Sequence, residues 1–274
     1  MKFFAVAVLF IQFGLLDARS STPFIVGGSE SAKGRWPWQL SLQVNRGEGV
    51  FGHSCGAVLI KENWVLTAGH CLMLNEEEPD DYLLRAGAFR IAPVGDEEQT
   101  LHVEKIIIHP EFELINPGLP NDIALLKLKE NADLGNPNIN TISLPPNDSN
   151  DFAGNSDCWI TGWGRTSGNA TGASPVLMEL NIPVLTNEVC DDRWSDNIIG
   201  IVQPILDEHI CVGDDAGNLS ACQGDSGGPL SCQVNGEWLV AGITSRGFPD
   251  CKGYPSVYTR TSKYIQWVND TINE

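Results

Sequence analysis

The sequence predicts an all-β protein that ends in a single helix, and three observations predict it. Short β-prone runs recur along the chain, clusters of Gly, Pro, Asn and Asp separate them, and a period of four residues appears only in the tail. The runs are Trp38 to Val44, Lys105 to His109, Asp122 to Leu128, Cys158 to Trp163 and Glu237 to Thr244. The separating clusters include Asn136 to Asn138 and Pro145 to Asn150. That rhythm fits a sandwich or barrel better than alternating β and α units. From Ile123 to Leu128 the apolar run is nearly continuous, as in a strand covered on both faces. In the tail, Tyr264, Val268 and Ile272 follow Thr261 and Ser262, which are candidate helix caps. There is no fixed-period repeat and no low-complexity tract.

Composition sets the class. The 274 residues are 42% apolar and 19% charged, enough for a sizeable core and unlike a disordered chain or a coiled coil. A chain of this length forms one or two domains. Its formal charge of −18 argues against nucleic acid or an anionic membrane as a partner. The 8 cysteines are even in number, widely spaced and free of any Cys-x-x-Cys pair, which favours structural disulfides over zinc ribbons or redox motifs.

The amino terminus points to secretion. Met1 and Lys2 precede an apolar stretch from Phe3 to Leu16, short for a bilayer span of about 20 residues and typical of a signal peptide over residues 1–18. Cleavage after Ala18 places a small residue at the cut, although Leu16, third from it, fits poorly; a buried strand or membrane anchor is the other reading. Asn147, Asn169, Asn218 and Asn269 open Asn-x-Ser/Thr triplets and are candidate glycosylation sites.

Three motifs carry chemistry: Thr67-Ala68-Gly69-His70-Cys71, Asn121-Asp122-Ile123-Ala124-Leu125-Leu126 and Gly224-Asp225-Ser226-Gly227-Gly228-Pro229. His70 and Asp122 are weak signals singly. Ser226 is stronger, because Gly-Asp-Ser-Gly-Gly suits no regular element and forces a tight, open backbone. Such a backbone lets a carbonyl approach main-chain N–H groups, as an oxyanion site requires.

With these motifs in the order His, Asp, Ser, the chain resembles the chymotrypsin/trypsin family of serine endopeptidases, with its pocket residues closest to chymotrypsin-like members. The resemblance runs from Ile25 to the terminal helix. It implies two antiparallel six-stranded β-barrels, in lobes of roughly 25–142 and 143–274, with the active site in the cleft between them. It implies His70, Asp122 and Ser226 as the catalytic triad, and the N–H groups of Gly224 and Ser226 as the oxyanion hole. Ser245 matches the position that hydrogen-bonds the catalytic aspartate. Residues 19–24 would be a short activation propeptide, and Ile25, freed by cleavage, would pair its ammonium with Asp225. Phe24 stands where trypsin-activated relatives carry Arg or Lys, so the resemblance implies a chymotrypsin-type activator, this protein itself included.

For the primary pocket the resemblance places Ser220 at the base and Gly247 and Ser256 on the walls. Without an aspartate at the base, tryptic preference is not expected; small walls admit Phe, Tyr, Leu or Met, and an elastase-like preference is the alternative. Arg246 stands where most relatives have an aromatic residue that packs against residues preceding the cleaved bond. The acidic run Glu76, Glu77, Glu78, Asp80 and Asp81 reads either as a solvated loop or as a border that attracts basic residues on the leaving-group side. Some relatives bind calcium through two glutamates; Glu98 fits one of those positions and Ala88 fills the other, so no metal and no cofactor is expected. The implied disulfides are Cys55–Cys71, Cys158–Cys232, Cys190–Cys211 and Cys222–Cys251. With no cysteine left over, nothing tethers the propeptide. The expected partners are protein or peptide substrates, an activating protease and protein inhibitors, and the enzyme is expected to be a monomer. A protease-like module that only binds partners is the competing class; it usually loses a triad residue, and here only Gly69, beside His70, departs within the motifs.

Overall fold

The computed structural model describes residues 25–75, 78–149, 152–195, 203–214 and 216–274. The expected signal peptide and propeptide, Phe24, and Glu76 and Glu77 of the acidic run lie outside the described residues.

The first lobe is a closed antiparallel barrel of β2 (Gln39–Asn45), β3 (Phe51–Lys61), β4 (Trp64–Thr67), β5 (Tyr82–Ala86), β6 (Gln99–Ile108) and β7 (Ala124–Leu128), in the order β2-β3-β4-β7-β6-β5. The apolar run from Ile123 becomes β7, held between β4 and β6 and buried except at Lys127, as its composition demands. Tyr82, Leu84, Leu101 and Val103 fill the interior with Leu40, Leu42 and Leu66.

The second lobe is a half-barrel sheet, consistent with the double-barrel fold that the resemblance implies. Its strands are β1 (Ser29–Glu30), β9 (Met178–Asn181), β8 (Cys158–Gly162), β12 (Pro229–Val234), β13 (Glu237–Arg246), β14 (Ser256–Arg260), β11 (His209–Val212) and β10 (Val184–Leu185), paired in that order. Six longer strands make its body, and β1 and β10 are two-residue pairings at its edges. A nine-residue helix α1 (Asn187–Ser195) sits between β10 and β11, and helix α2 (Ile265–Asn273) closes the chain.

The tail pattern holds but its start differs. Tyr264 and Val268 are buried and Ile272 partly so. Thr261 and Ser262 do not cap α2; they are buried in a 3-10 turn over Thr261–Tyr264, and the Ser262 hydroxyl donates to the Ser149 carbonyl instead. A buried hydroxyl takes the carbonyl within its reach rather than the helix end.

Candidate active site

Four disulfides form: Cys55–Cys71, Cys158–Cys232 between paired strands β8 and β12, Cys190–Cys211 between α1 and β11, and Cys222–Cys251 beside Ser226. The first anchors the 3-10 segment Gly69–Asn75, which presents His70 just beyond β4. Asp122 precedes β7 and is fully buried. Its carboxylate accepts from the His70 backbone N–H at 2.9 Å, lies 2.7 Å from His70 Nδ1, and accepts from Ser245 Oγ at 2.6 Å. Thr259 Oγ1 donates to the Asp122 carbonyl at 2.8 Å, so strand β14 of the second lobe holds an aspartate of the first. Burial pulls the His70 pKa down, but the charge and hydrogen bond of Asp122 outweigh it and the net shift is upward.

Ser226 lies in the turn before β12. Its carbonyl accepts from Gly56 N–H at 2.7 Å, and the glycines after it fit against the first lobe. A methyl on Gly227 (φ +75°) would collide with the Thr67 hydroxyl and the Gly56 carbonyl, and one on Gly56 with the Gly228 backbone. Only glycine lets the serine loop lie beside Ala68, two residues from His70. No hydrogen bond joins Ser226 to His70 among the described residues; His70 Nε2 lies 3.8 Å from the Cys71 sulfur. Nucleophile–base contacts of this kind often close only with substrate bound.

One residue of this loop went unnoticed in the sequence. His53 on β3 is set between Ser41 Oγ (2.9 Å from Nδ1) and the Gly224 carbonyl (2.9 Å from Nε2). Burial first, then the charges of Arg46 and Arg85, lower its pKa to about 4 against the opposing pull of the Gly224 bond. The neutral ring therefore donates Nε2–H to Gly224 and fixes that peptide (φ +103°). A lone histidine among Gly and Ser gave no signal in the sequence.

Beside Ser226 opens a cavity of about 170 Å³ lined by Ala221, Cys222, Gln223, Gly247, Phe248 and Ser256, among others. Gly247 and Ser256 line this cavity. Ser220 is not among the lining residues: it is buried behind the wall, its hydroxyl donating to the Cys251 carbonyl at 2.6 Å. Spacing places a residue near a pocket but does not say which way its hydroxyl points. Phe248, stacked on Tyr254 at 4.6 Å, is a lining residue that the sequence reading did not include.

Asp225 is buried, its carboxylate accepting from Gly164 N–H (2.8 Å) and Cys222 N–H (2.9 Å). Burial raises its pKa to about 6 against those two bonds. Ile25 is fully buried in the second lobe's core with φ +39°, a strained conformation for a β-branched residue.

The Trypsin family model matches residues 25–268. The chain belongs to the trypsin family of serine endopeptidases. Its trypsin-family relatives include chymotrypsin-like elastase family member 1 of Macaca fascicularis, 36% identical over 255 residues, covering 90% of this chain and 89% of the relative. Fibrinolytic enzyme, isozyme C, of Lumbricus rubellus is 39% identical over 251 residues, covering 90% and 99%. Tryptase of Mus musculus is 34% identical over 252 residues, covering 90% and 88%.

The trypsin-family calcium loop does not fit a metal here. Glu98 is paired with Arg85, both side chains buried, and the same guanidinium donates to the carbonyls of Arg90 and Ile91. An internal cation thus holds the carboxylate and two carbonyls that a hard metal would use. The grouping of Cys55, Cys71 and His70 is likewise no metal centre, since both sulfurs are in one disulfide. In the acidic run, Asp80 pairs with Lys129 at 2.7 Å and Asp81 accepts from Asn45 at 3.3 Å, while Glu78 is exposed. All four candidate glycosylation asparagines are exposed.

Proposed function

We propose that this chain is a secreted serine endopeptidase, made as a zymogen, that cleaves peptide bonds after large apolar or aromatic residues. Ser226 is the nucleophile. Neutral His70 takes its proton during attack on the scissile carbonyl and returns it to the leaving amine, as an imidazole, whose ordinary pKa is near neutrality, can do. Asp122 holds the imidazole in one tautomer and stabilises the imidazolium. The N–H groups of Gly224 and Ser226 stabilise the oxyanion.

The observation that carries the preference is the wall at Gly247. A methyl there would meet Ser256 Oγ at 3.7 Å and the Ala221 carbonyl at 3.9 Å, ordinary contact distances, so both walls leave the cavity open. Among the described residues no carboxylate lines it to pair with Arg or Lys. Cleavage of anilides after Phe or Leu should therefore exceed that after Ala or Arg, and Gly247→Val should shift preference toward Ala. Cleavage of Phe or Leu substrates no faster than Ala or Arg ones refutes the reading. An elastase-like preference is the second reading, favoured by the name that several relatives carry.

The zymogen reading takes residues 1–18 as signal peptide, 19–24 as propeptide and 25–274 as the protease domain with lobes 25–142 and 143–274. It is supported by Asp225, a buried acid with no cationic partner among the described residues, and by the strained φ of +39° at Ile25, the residue that cleavage would free. Secretion is supported by four disulfides and by the absence, among the described residues, of a helix long and apolar enough to cross a membrane.

A further inference from the structure

Arg246 closes β13, next to the Ser245 that binds Asp122, and lines the cavity together with Ser226 and Gly247. Its side chain spans the cleft. Nε donates to the Gly118 carbonyl at 3.2 Å, Nη2 to the Pro204 carbonyl at 2.9 Å, and the guanidinium carbon stands 4.9 Å from the Trp194 ring centre. Gly118 is gripped a second time, its N–H donating to Gln203 Oε1 at 3.3 Å. The group is therefore fixed in place before any ligand arrives.

What the protein does not supply is a counter-charge. Among the described residues no carboxylate pairs with Arg246, and its Nη1 is enclosed without a hydrogen-bond partner. Burial lowers its pKa to about 10, with no acid opposing the shift, and the group stays cationic at neutral pH. A sequestered cation bound only to carbonyls carries an unmet desolvation cost. That cost is met if the anion comes with the substrate, and a pre-positioned guanidinium binds it with little further loss of side-chain entropy.

We propose that Arg246 is a specificity-determining residue that reads an acidic side chain on a residue preceding the scissile one. This rests on the reading of the cavity as the seat of the residue before the cut bond. The test uses processed enzyme and three peptides that share a Phe at the cleavage position and carry Glu, Gln or Ala at the two positions before it. Long-range repulsion from the net charge of −18 is damped by working at physiological ionic strength, where screening acts beyond about 8 Å.

The Glu peptide should exceed the Gln peptide in kcat/KM by about three- to tenfold, roughly the range of a partly buried ion pair. Arg246→Leu should bring the ratio to one, and Arg246→Lys should retain part of it. A wild-type ratio of one with rapid cleavage of the Gln and Ala peptides overturns the inference and leaves the aromatic preference standing; so does a ratio unchanged in Arg246→Leu. Failure to cleave any of the three after Phe overturns the pocket reading instead.

Discussion

Gly69 stands where relatives commonly carry alanine, and its neighbours explain it. A methyl there would approach Phe112 Cδ1 to 2.9 Å and Ile108 Cγ2 to 3.3 Å, so an aromatic edge takes the space beside the histidine. The sequence showed the departure but not its cause, because Phe112 lies 43 positions away and only the fold brings it there. The pH behaviour of His70 belongs to the same scale. Asp122 raises its pKa above the ordinary 6.5 although burial opposes it, and the base must be neutral to act. Activity should therefore rise with pH through a value above 6.5. The stability that the pair contributes runs the other way: it is fully present below pH 6.5 and is lost as pH climbs through the folded pKa. Asp122→Asn removes the charge; kcat should fall by about four orders of magnitude, and the inflection in kcat/KM should move down. An inflection unmoved in that variant would contradict the assignment.

At the scale of elements, all five runs named from the sequence overlap strands, because their apolar residues face a core on one side or both. β3 is not among them, since Gly52, His53, Ser54 and Gly56 interrupt its apolar pattern. Gly56 is the residue of β3 that lets Ser226 and Gly228 approach. Helix α1 was missed for a different reason: Cys190 is its buried residue, so it has no apolar period, and the disulfide to Cys211 holds it instead. The segment leading into Asp122 packs Gly118, Leu119 and Asn121 at φ +86°, +53° and +58°, two of them strained, and Arg246, Gln203 and Tyr264 bind it. The loop from Ala88 to Glu98 makes a firm prediction. Arg85 already holds Glu98 and two carbonyls, so millimolar calcium or a chelator should leave Tm unchanged. Arg85→Met strands a buried carboxylate and should cost about 3–5 kcal/mol, read as a lower Tm. Stabilisation of the wild-type protein by calcium would show that the guanidinium does not fill the site.

Across the whole molecule, the two lobes are joined where the chemistry sits. Trp36 packs edge-on against Trp38 (5.9 Å) and Trp238 (5.2 Å), and Trp38 donates to Ser231 Oγ across the lobes at 3.0 Å. Helix α2 carries the chain back to the first lobe, where Trp267 meets His109 at 5.0 Å, while the Tyr264 hydroxyl donates to Asn121 beside the catalytic aspartate. On the proposed zymogen reading, the charge that decides whether the site is formed is Asp225, buried in the second lobe. In the uncut chain its folded pKa, raised to about 6, exceeds the ordinary 3.8, so the native state holds the proton more tightly than the unfolded one. The stability it contributes is therefore greatest below pH 3.8 and declines by about 3 kcal/mol as pH rises to 6. In the processed chain the Ile25 ammonium would hold the carboxylate ionised, pushing its pKa below 3.8 and reversing the sign: stability present above that value and lost as pH falls. Denaturant unfolding of the Ser226→Ala precursor and of processed protein, compared between pH 4 and 7, should show this group's loss of stability with rising pH in the precursor and no such loss in the processed protein. Parallel curves would mean that the new terminus never reaches Asp225.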